Sequence, residues 1–250
     1  MIKHYIIMSS AYSIGKRVVL DYCYSDIIDM DKIQKDIDYI IEKCGEDLSI
    51  SSHSIQTKSI SWDSVVKTDS FFKDTLVVKS KEEFVDIVLK DRKLIGTDIA
   101  KYILSVIPCT HLKLQKLTYL CYAEYLCNEG ERLFEDKILS YKLGPIISSI
   151  YNKYTKSGKN LLEAEDDEIT YEEDSIKLPI RSRIIASKNG FKKLLSIDKT
   201  LNTYGNYSAS FLVDITHRKN TPWNKSRINE STYTEITDEL IKKYHKNEYL

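Results

Sequence analysis

Apolar positions recur with two different periods along the chain, and the change falls near Gly96. Up to about Lys93 the pattern is mixed. Lys3–Met8 and Arg17–Leu20 are short runs of β-branched and aliphatic residues that predict strands. From Asp31 to Cys44, Ile33, Ile37, Ile40 and Ile41 fall at helical spacing, with Gly45 placed to stop the helix. Ile50–Val66 is rich in Ser and Thr, with Ile55, Ile60, Trp62 and Val65 spread through it, and predicts extended structure. Leu76–Val78 predicts another strand. Ser80 with Glu83 three residues on is a capping box that opens a helix through Phe84, Ile87 and Val88.

Beyond Gly96 the spacing is helical. Ile99, Ala100, Ile103 and Leu104 share one face of a helix that Pro108 ends, and Leu114, Leu117, Cys121 and Tyr125 share a face of the next, closed by Gly130. Ile138–Leu143 is short and extended before Gly144-Pro145 turns the chain, and Ile146–Tyr154 returns to helical spacing up to Ser157-Gly158. One helix is expected from about Ser182 to Gly205, carrying Ile184, Ile185, Phe191, Leu194 and Leu195. Ser208 caps another, with Phe211, Leu212 and Ile215 inward. Thr221-Pro222 has the form of an N-cap followed by proline at the first helical position. Ile236, Leu240 and Tyr244 make a terminal stripe. The pattern therefore predicts an α+β protein: a small α+β domain at 1–95 and a predominantly helical domain at 96–250.

Composition changes this picture little. Apolar residues make up 42% of the chain, a globular value, and 37 basic residues balance 37 acidic ones. The charge is unevenly placed. Residues 159–175 hold one Lys against eight carboxylates (Glu163, Glu165, Asp166, Asp167, Glu168, Glu172, Glu173 and Asp174), whereas 176–250 hold 14 basic and 7 acidic groups. Five cysteines without a CxxC pair argue against a disulfide framework. The start of the chain carries Asp21, Asp26 and Asp29 in place of a continuous apolar core, and no apolar run is long enough to span a bilayer. The expectation is a soluble, cytoplasmic protein.

Candidate chemistry is sparse. His4, His53, His111, His217 and His245 are scattered, and no phosphate loop, dinucleotide fingerprint or HExxH stands in the chain, so no metal, cofactor or catalytic constellation is nominated. Asp21, Tyr22, Cys23 and Tyr24 point to no reaction. Asp214, three residues before His217, can accept its N–H on one helix face, which suits a fixed helix end as well as acid–base work. Gln115 has two readings, a hydrogen bond to a loop such as the Gly-Pro turn or contact with a partner. Lys188, Lys192, Lys193, Arg218, Lys219, Lys225 and Arg227 supply a basic face, but no helix-turn-helix pattern accompanies them, so operator DNA is an unsupported partner.

Several motifs in fixed order carry a family resemblance. They are His111–Leu117 (HLKLQKL), the aromatic-rich Tyr119–Tyr125, Gly130, Leu133-Phe134, Tyr141–Pro145 (YKLGP), Ile150–Tyr154, Ile215-Thr216-His217, Pro222-Trp223 and Arg227. Over about residues 97–245 the chain resembles the Panacea domain of SocA-type and GepA-type prophage-associated antitoxins. It departs in Tyr141, where Trp is common, and in the acidic run. The resemblance implies a non-enzymatic antitoxin of a toxin–antitoxin system that neutralises a cognate protein toxin by direct binding. The alternatives are an adaptor delivering the toxin to an ATP-dependent protease, or a mobile-element factor whose activity lies in the N-terminal domain. The motif residues implied as structural or partner-binding are Leu114, Gln115, Lys116, Leu117, Tyr119, Gly144, Pro145, Tyr151, His217, Pro222, Trp223 and Arg227. Toxin specificity is expected from the 1–95 domain and the eight carboxylates of the acidic run.

Overall fold

The computed structural model describes residues 1–162, 180–227 and 233–250. The eight carboxylates of the acidic run lie outside the described residues. The chain divides into two compact units. One is Met1–Lys93 together with Ala186–Lys188; the other is built from the remaining described residues from Leu94 onward.

The first unit contains β1 (Ile2–Ala11), β2 (Lys16–Tyr24), α1 (Met30–Cys44), β3 (Ser51–Thr57), α2 (Trp62–Thr68), β4 (Thr75–Val78) and α3 (Lys81–Asp91). The strands form one sheet in the order β3-β1-β2-β4, with β4 parallel to β2 and the other pairs antiparallel. Side chains alternate across a strand, so Ile7, Val18 and Leu20 meet Ile33, Ile40, Phe84 and Val88 of α1 and α3 on one face. Ile6, Met8 and Val19 meet Val65 and Phe72 on the other. Burial on both faces explains why β1 reads as a continuous apolar run. Ser80 Oγ accepts the Glu83 N–H at 3.2 Å, while the Glu83 carboxylate reaches back to the Lys79 N–H at 2.9 Å, one residue beyond the expected box.

Extended structure over Ile50–Val66 is only half right. β3 ends at Thr57, and Trp62 and Val65 lie on α2, where they pack against the sheet face. Local β-branched content there is overridden by the need to cover the second apolar face of the sheet.

The second unit contains α4 (Gly96–Val106), β5 (Cys109–Thr110), α5 (His111–Glu129), β6 (Ile138–Tyr141), β7 (Gly144–Ile147), α6 (Ser148–Tyr154), β8 (Leu161–Leu162), α7 (Ile180–Ile185), α8 (Gly190–Tyr204), α9 (Ala209–His217), α10 (Pro222–Ser226), β9 (Thr234–Glu235) and α11 (Asp238–Tyr244). β7, β6 and β9 form a small antiparallel sheet, and β5 pairs with β8. α5 is the central helix, with α4, α8, α9, α11 and β7 packed around it. Its residues from Leu114 to Ala123 are buried without interruption, as in a helix enclosed on every side. Thr110 caps its start, and Gly130, in the left-handed region, ends it.

Three expectations change here. Gly144-Pro145 does not form the turn; Lys142-Leu143 does, and Gly144 opens β7 opposite Tyr141. Consequently Ile146 and Ile147 are strand residues, and α6 starts only at Ser148. The expected helix from Ser182 to Gly205 is two helices, broken where Asn189 takes a left-handed conformation, and Phe191 and Leu195 are exposed while Ile197, Leu201 and Tyr204 face the core. The buried stripe at the C-terminus is Ile241, His245 and Glu248, in place of Leu240 and Tyr244. Two ionisable groups occupy core positions there, and hydropathy spacing does not register them. Among the described residues no helix is long and apolar enough to cross a membrane.

Candidate functional site

The motif residues converge on the β6–β7 hairpin and the helices beneath it. Leu114 and Leu117 are fully buried core residues of α5. Gln115, between them, turns its carboxamide to β7: Oε1 accepts the Ile147 N–H at 2.8 Å and Nε2 donates to the Ile147 carbonyl at 3.2 Å. The side chain thus pairs with the free edge of β7 as another strand would, and both backbone groups of Ile147 are satisfied in a dry interior. At the next position of the helix, Lys116 is also fully buried, and its ammonium donates to the Pro145 carbonyl at 2.7 Å. Burial pushes Lys116 down to about 7, partly opposed by the charge of Glu248.

Gly144 has φ +101°, and a Cβ added there would stand 2.7 Å from Lys116 Nζ and 3.1 Å from Thr216 Oγ1. The glycine therefore serves both the backbone conformation and the close approach of the lysine. Pro145 sits in β7 opposite Ser140. Having no N–H, it requires no partner for one, and its carbonyl is free for Lys116.

Trp223 closes the hairpin from the other side. Thr221 caps α10 by accepting the Asn224 N–H, and Pro222 occupies its first turn. This fixes Trp223, 9% exposed, with its indole N–H donating to the Tyr141 carbonyl at 2.8 Å. The His217 ring lies on the indole at a centroid distance of 3.7 Å, and the Arg227 guanidinium stands 4.9 Å from the indole ring centre. Burial, helped by the charges of Lys116 and Arg227, lowers His217 to about 4, so the imidazole is neutral at pH 7. The exposed Asp214 makes no hydrogen bond to it, which leaves the sequence-derived dyad unformed, and His217 Nε2 is buried without a hydrogen-bond partner. Trp223→Phe keeps an aromatic side chain but removes the N–H that donates to the Tyr141 carbonyl. The expected result is a loss of about 1–2 kcal/mol, read as a lower denaturant midpoint at unchanged slope.

Tyr119 leads to a cluster that sequence reasoning missed. Its hydroxyl donates to the Glu248 carboxylate at 2.9 Å, Glu248 lies 2.6 Å from His245 Nδ1, and Glu124 lies 3.4 Å from His245 Nε2. Burial lowers His245, but its hydrogen bond to Glu248 and the neighbouring charges of Glu124 and Glu248 outweigh it and raise the imidazole to about 9. Burial also raises the Glu248 carboxyl. The only sequence signal was an i, i+3 His–Glu pair after a helix, which is common on surfaces.

Tyr151 is half-buried and links His111 and Tyr141, at ring distances of 5.5 and 5.4 Å; Tyr141 in turn meets the exposed Tyr233 at 4.6 Å. With Leu143, 54% exposed at the hairpin turn, these rings give the site its outer surface. Much of the basic face is engaged within the chain: Lys192 pairs with Glu129, Arg218 donates to the Tyr249 carbonyl, and Lys193 is buried. In the first unit, by contrast, strand pairing gathers His4, Asp21 and Cys23, which had been left unconnected in sequence.

In the helical unit, Gln115, Lys116 and Trp223 of the motif are thus bonded to the unit's own backbone. Residues 114–224 match the family described as "Antitoxin SocA-like, Panacea domain". The chain is 28% identical over 142 residues to "Antitoxin SocA" of Caulobacter vibrioides (strain NA1000 / CB15N), an alignment covering 54% of this chain and 71% of that protein. No solved structure gives a significant match. These similarities support an antitoxin role in general terms.

Proposed function

We propose that the protein neutralises a cognate protein toxin by direct binding, without catalysis. The observation that carries this reading is the Panacea match over residues whose polar groups are spent inward. Gln115 and Lys116 are buried and bonded to the β7 backbone, which supports a role in holding the fold over contact with a partner. Recognition then falls to the first unit, the acidic run, and the outward-facing part of the motif, the aromatic rim with Leu143. Eight clustered carboxylates suit a basic toxin surface through charge complementarity.

The test is growth of cells expressing a candidate toxin, encoded beside this gene, with and without this protein, while the toxin level is followed. Rescue at a constant toxin level supports masking. Rescue with disappearance of the toxin would replace masking by delivery to a protease. Absence of rescue would reject the antitoxin reading for that pair. Deleting 163–174 is expected to slow association and to flatten its salt dependence, and unchanged neutralisation would remove the acidic run from the mechanism.

A further inference from the structure

We propose that His4, Asp21 and Cys23 form a binding site for a divalent cation of the zinc class on the sheet of the first unit. The site follows from strand register. His4 on β1 stands directly opposite Cys23 on β2, and Asp21, two residues before Cys23, projects from the same face. All three ligand atoms lie within 4.8 Å of one another. Asp21 Oδ2 is 2.8 Å and Cys23 Sγ 3.2 Å from the same atom, His4 Nδ1, and 3.1 Å separates Sγ from Oδ2.

The hydrogen bonds around His4 fix which nitrogen is free. Its Nε2 faces Thr57 Oγ1 at 3.1 Å and the Ser59 carbonyl at 3.2 Å. The Thr57 hydroxyl spends its own proton on that carbonyl at 2.6 Å, so both neighbours accept and Nε2 carries the proton. With Nε2 so engaged, Nδ1 is the ring nitrogen that faces the carboxylate and the thiol. An imidazole with one ring nitrogen held by a backbone carbonyl and the other facing a carboxylate and a thiol is the arrangement of metal-binding histidines.

A second observation points the same way. Asp21 Oδ1 is buried without a hydrogen-bond partner, in a side chain that is 8% exposed. A nucleophile–base–acid relay does not fit, because thiol and carboxylate share one imidazole nitrogen instead of taking one each. Tetrahedral zinc with nitrogen, oxygen and sulfur ligands separates them by about 3.3–3.6 Å, so each pair needs to open by only about 0.4–0.5 Å. Sulfur, imidazole and carboxylate together favour zinc over magnesium or calcium. Cys23 is exposed, which gives the ion an entry path, and the Ile60 carbonyl, 3.8 Å from Sγ, or water can complete the fourth position. Binding releases the thiol proton to solvent.

The test uses the full-length protein, freed of metal and titrated with Co2+ and then Zn2+. One Co2+ per chain is expected, with a thiolate-to-cobalt charge-transfer band that Zn2+ abolishes, and with a higher Tm in Zn2+. Cys23→Ser, at an exposed position, should keep the circular dichroism spectrum and lose the band. Its affinity should fall by more than the about 10–100-fold that removing an outer-shell partner costs. No band in the unsubstituted protein, or undiminished binding in Cys23→Ser, would overturn the proposal and leave a buried imidazole–carboxylate pair beside a thiol. Neither result depends on toxin neutralisation.

Discussion

His245→Ala is expected to lower the unfolding free energy of the helical unit by about 3–5 kcal/mol, the cost of leaving a buried charge without its partner. His245 and Glu248 are both fully buried, and among the described residues Glu248 would keep only the Tyr119 hydroxyl as a donor. The pH dependence gives a sharper test. The folded-state value of about 9 for His245 lies above its ordinary 6.5, so the stabilisation is complete below pH 6.5 and is lost as pH rises through about 9. Glu248, also raised, acts in the same direction, its contribution fading as pH climbs above the ordinary carboxylate range. Lys116 acts oppositely: lowered to about 7 from 10.5, it weakens the folded state below pH 7, and that penalty is relieved as pH rises from 7 toward 10.5. The quantity to measure is therefore the stability difference between the unsubstituted protein and His245→Gln. It should shrink between pH 6.5 and 9. A difference independent of pH would mean that the imidazole is not held protonated by its carboxylates.

Gly144→Ala should cost about 2–4 kcal/mol, combining a left-handed backbone with an overpacked contact. The atom met at 2.7 Å is the end of a lysine side chain, which elsewhere would simply swing aside. Here Lys116 is fully buried and tied to the Pro145 carbonyl, so retreat breaks a buried charge-assisted hydrogen bond. Gly130→Ala separates the two contributions. Gly130 has φ +76°, but a Cβ there meets nothing within 4 Å, and about 1 kcal/mol of backbone strain is all that should be lost. Equal losses at the two glycines in equilibrium denaturation would show that the Lys116 contact is not restrictive.

Both variants act on groups whose importance was unevenly legible. Gly144, Lys116, Gln115 and Trp223 stand in the motifs of the family resemblance, so the sequence singled them out but left their partners open. Gln115 carried two readings until Ile147 was seen to offer both of its backbone groups. His245 and Glu248 were invisible, because a buried ion pair looks like any surface pair until its neighbours are known. The same holds for His4, Asp21 and Cys23, whose separation along the chain hides a register that makes them neighbours.

By itself the sequence determined the α+β class, the helix caps at Ser80, Thr221 and Ser208, the stop at Gly130, and the resemblance to the Panacea family. All of these rest on residues within a few positions of one another or on motifs in fixed order. Tertiary structure alone decided that Trp62 and Val65 are helical, that Gly144-Pro145 begins a strand, that one expected helix is two, and that ionisable side chains occupy the core around α5. In each case the deciding interaction joins segments far apart in the chain. An apolar sheet face must be covered, and a buried polar group must find its partner, whatever the local propensity prefers.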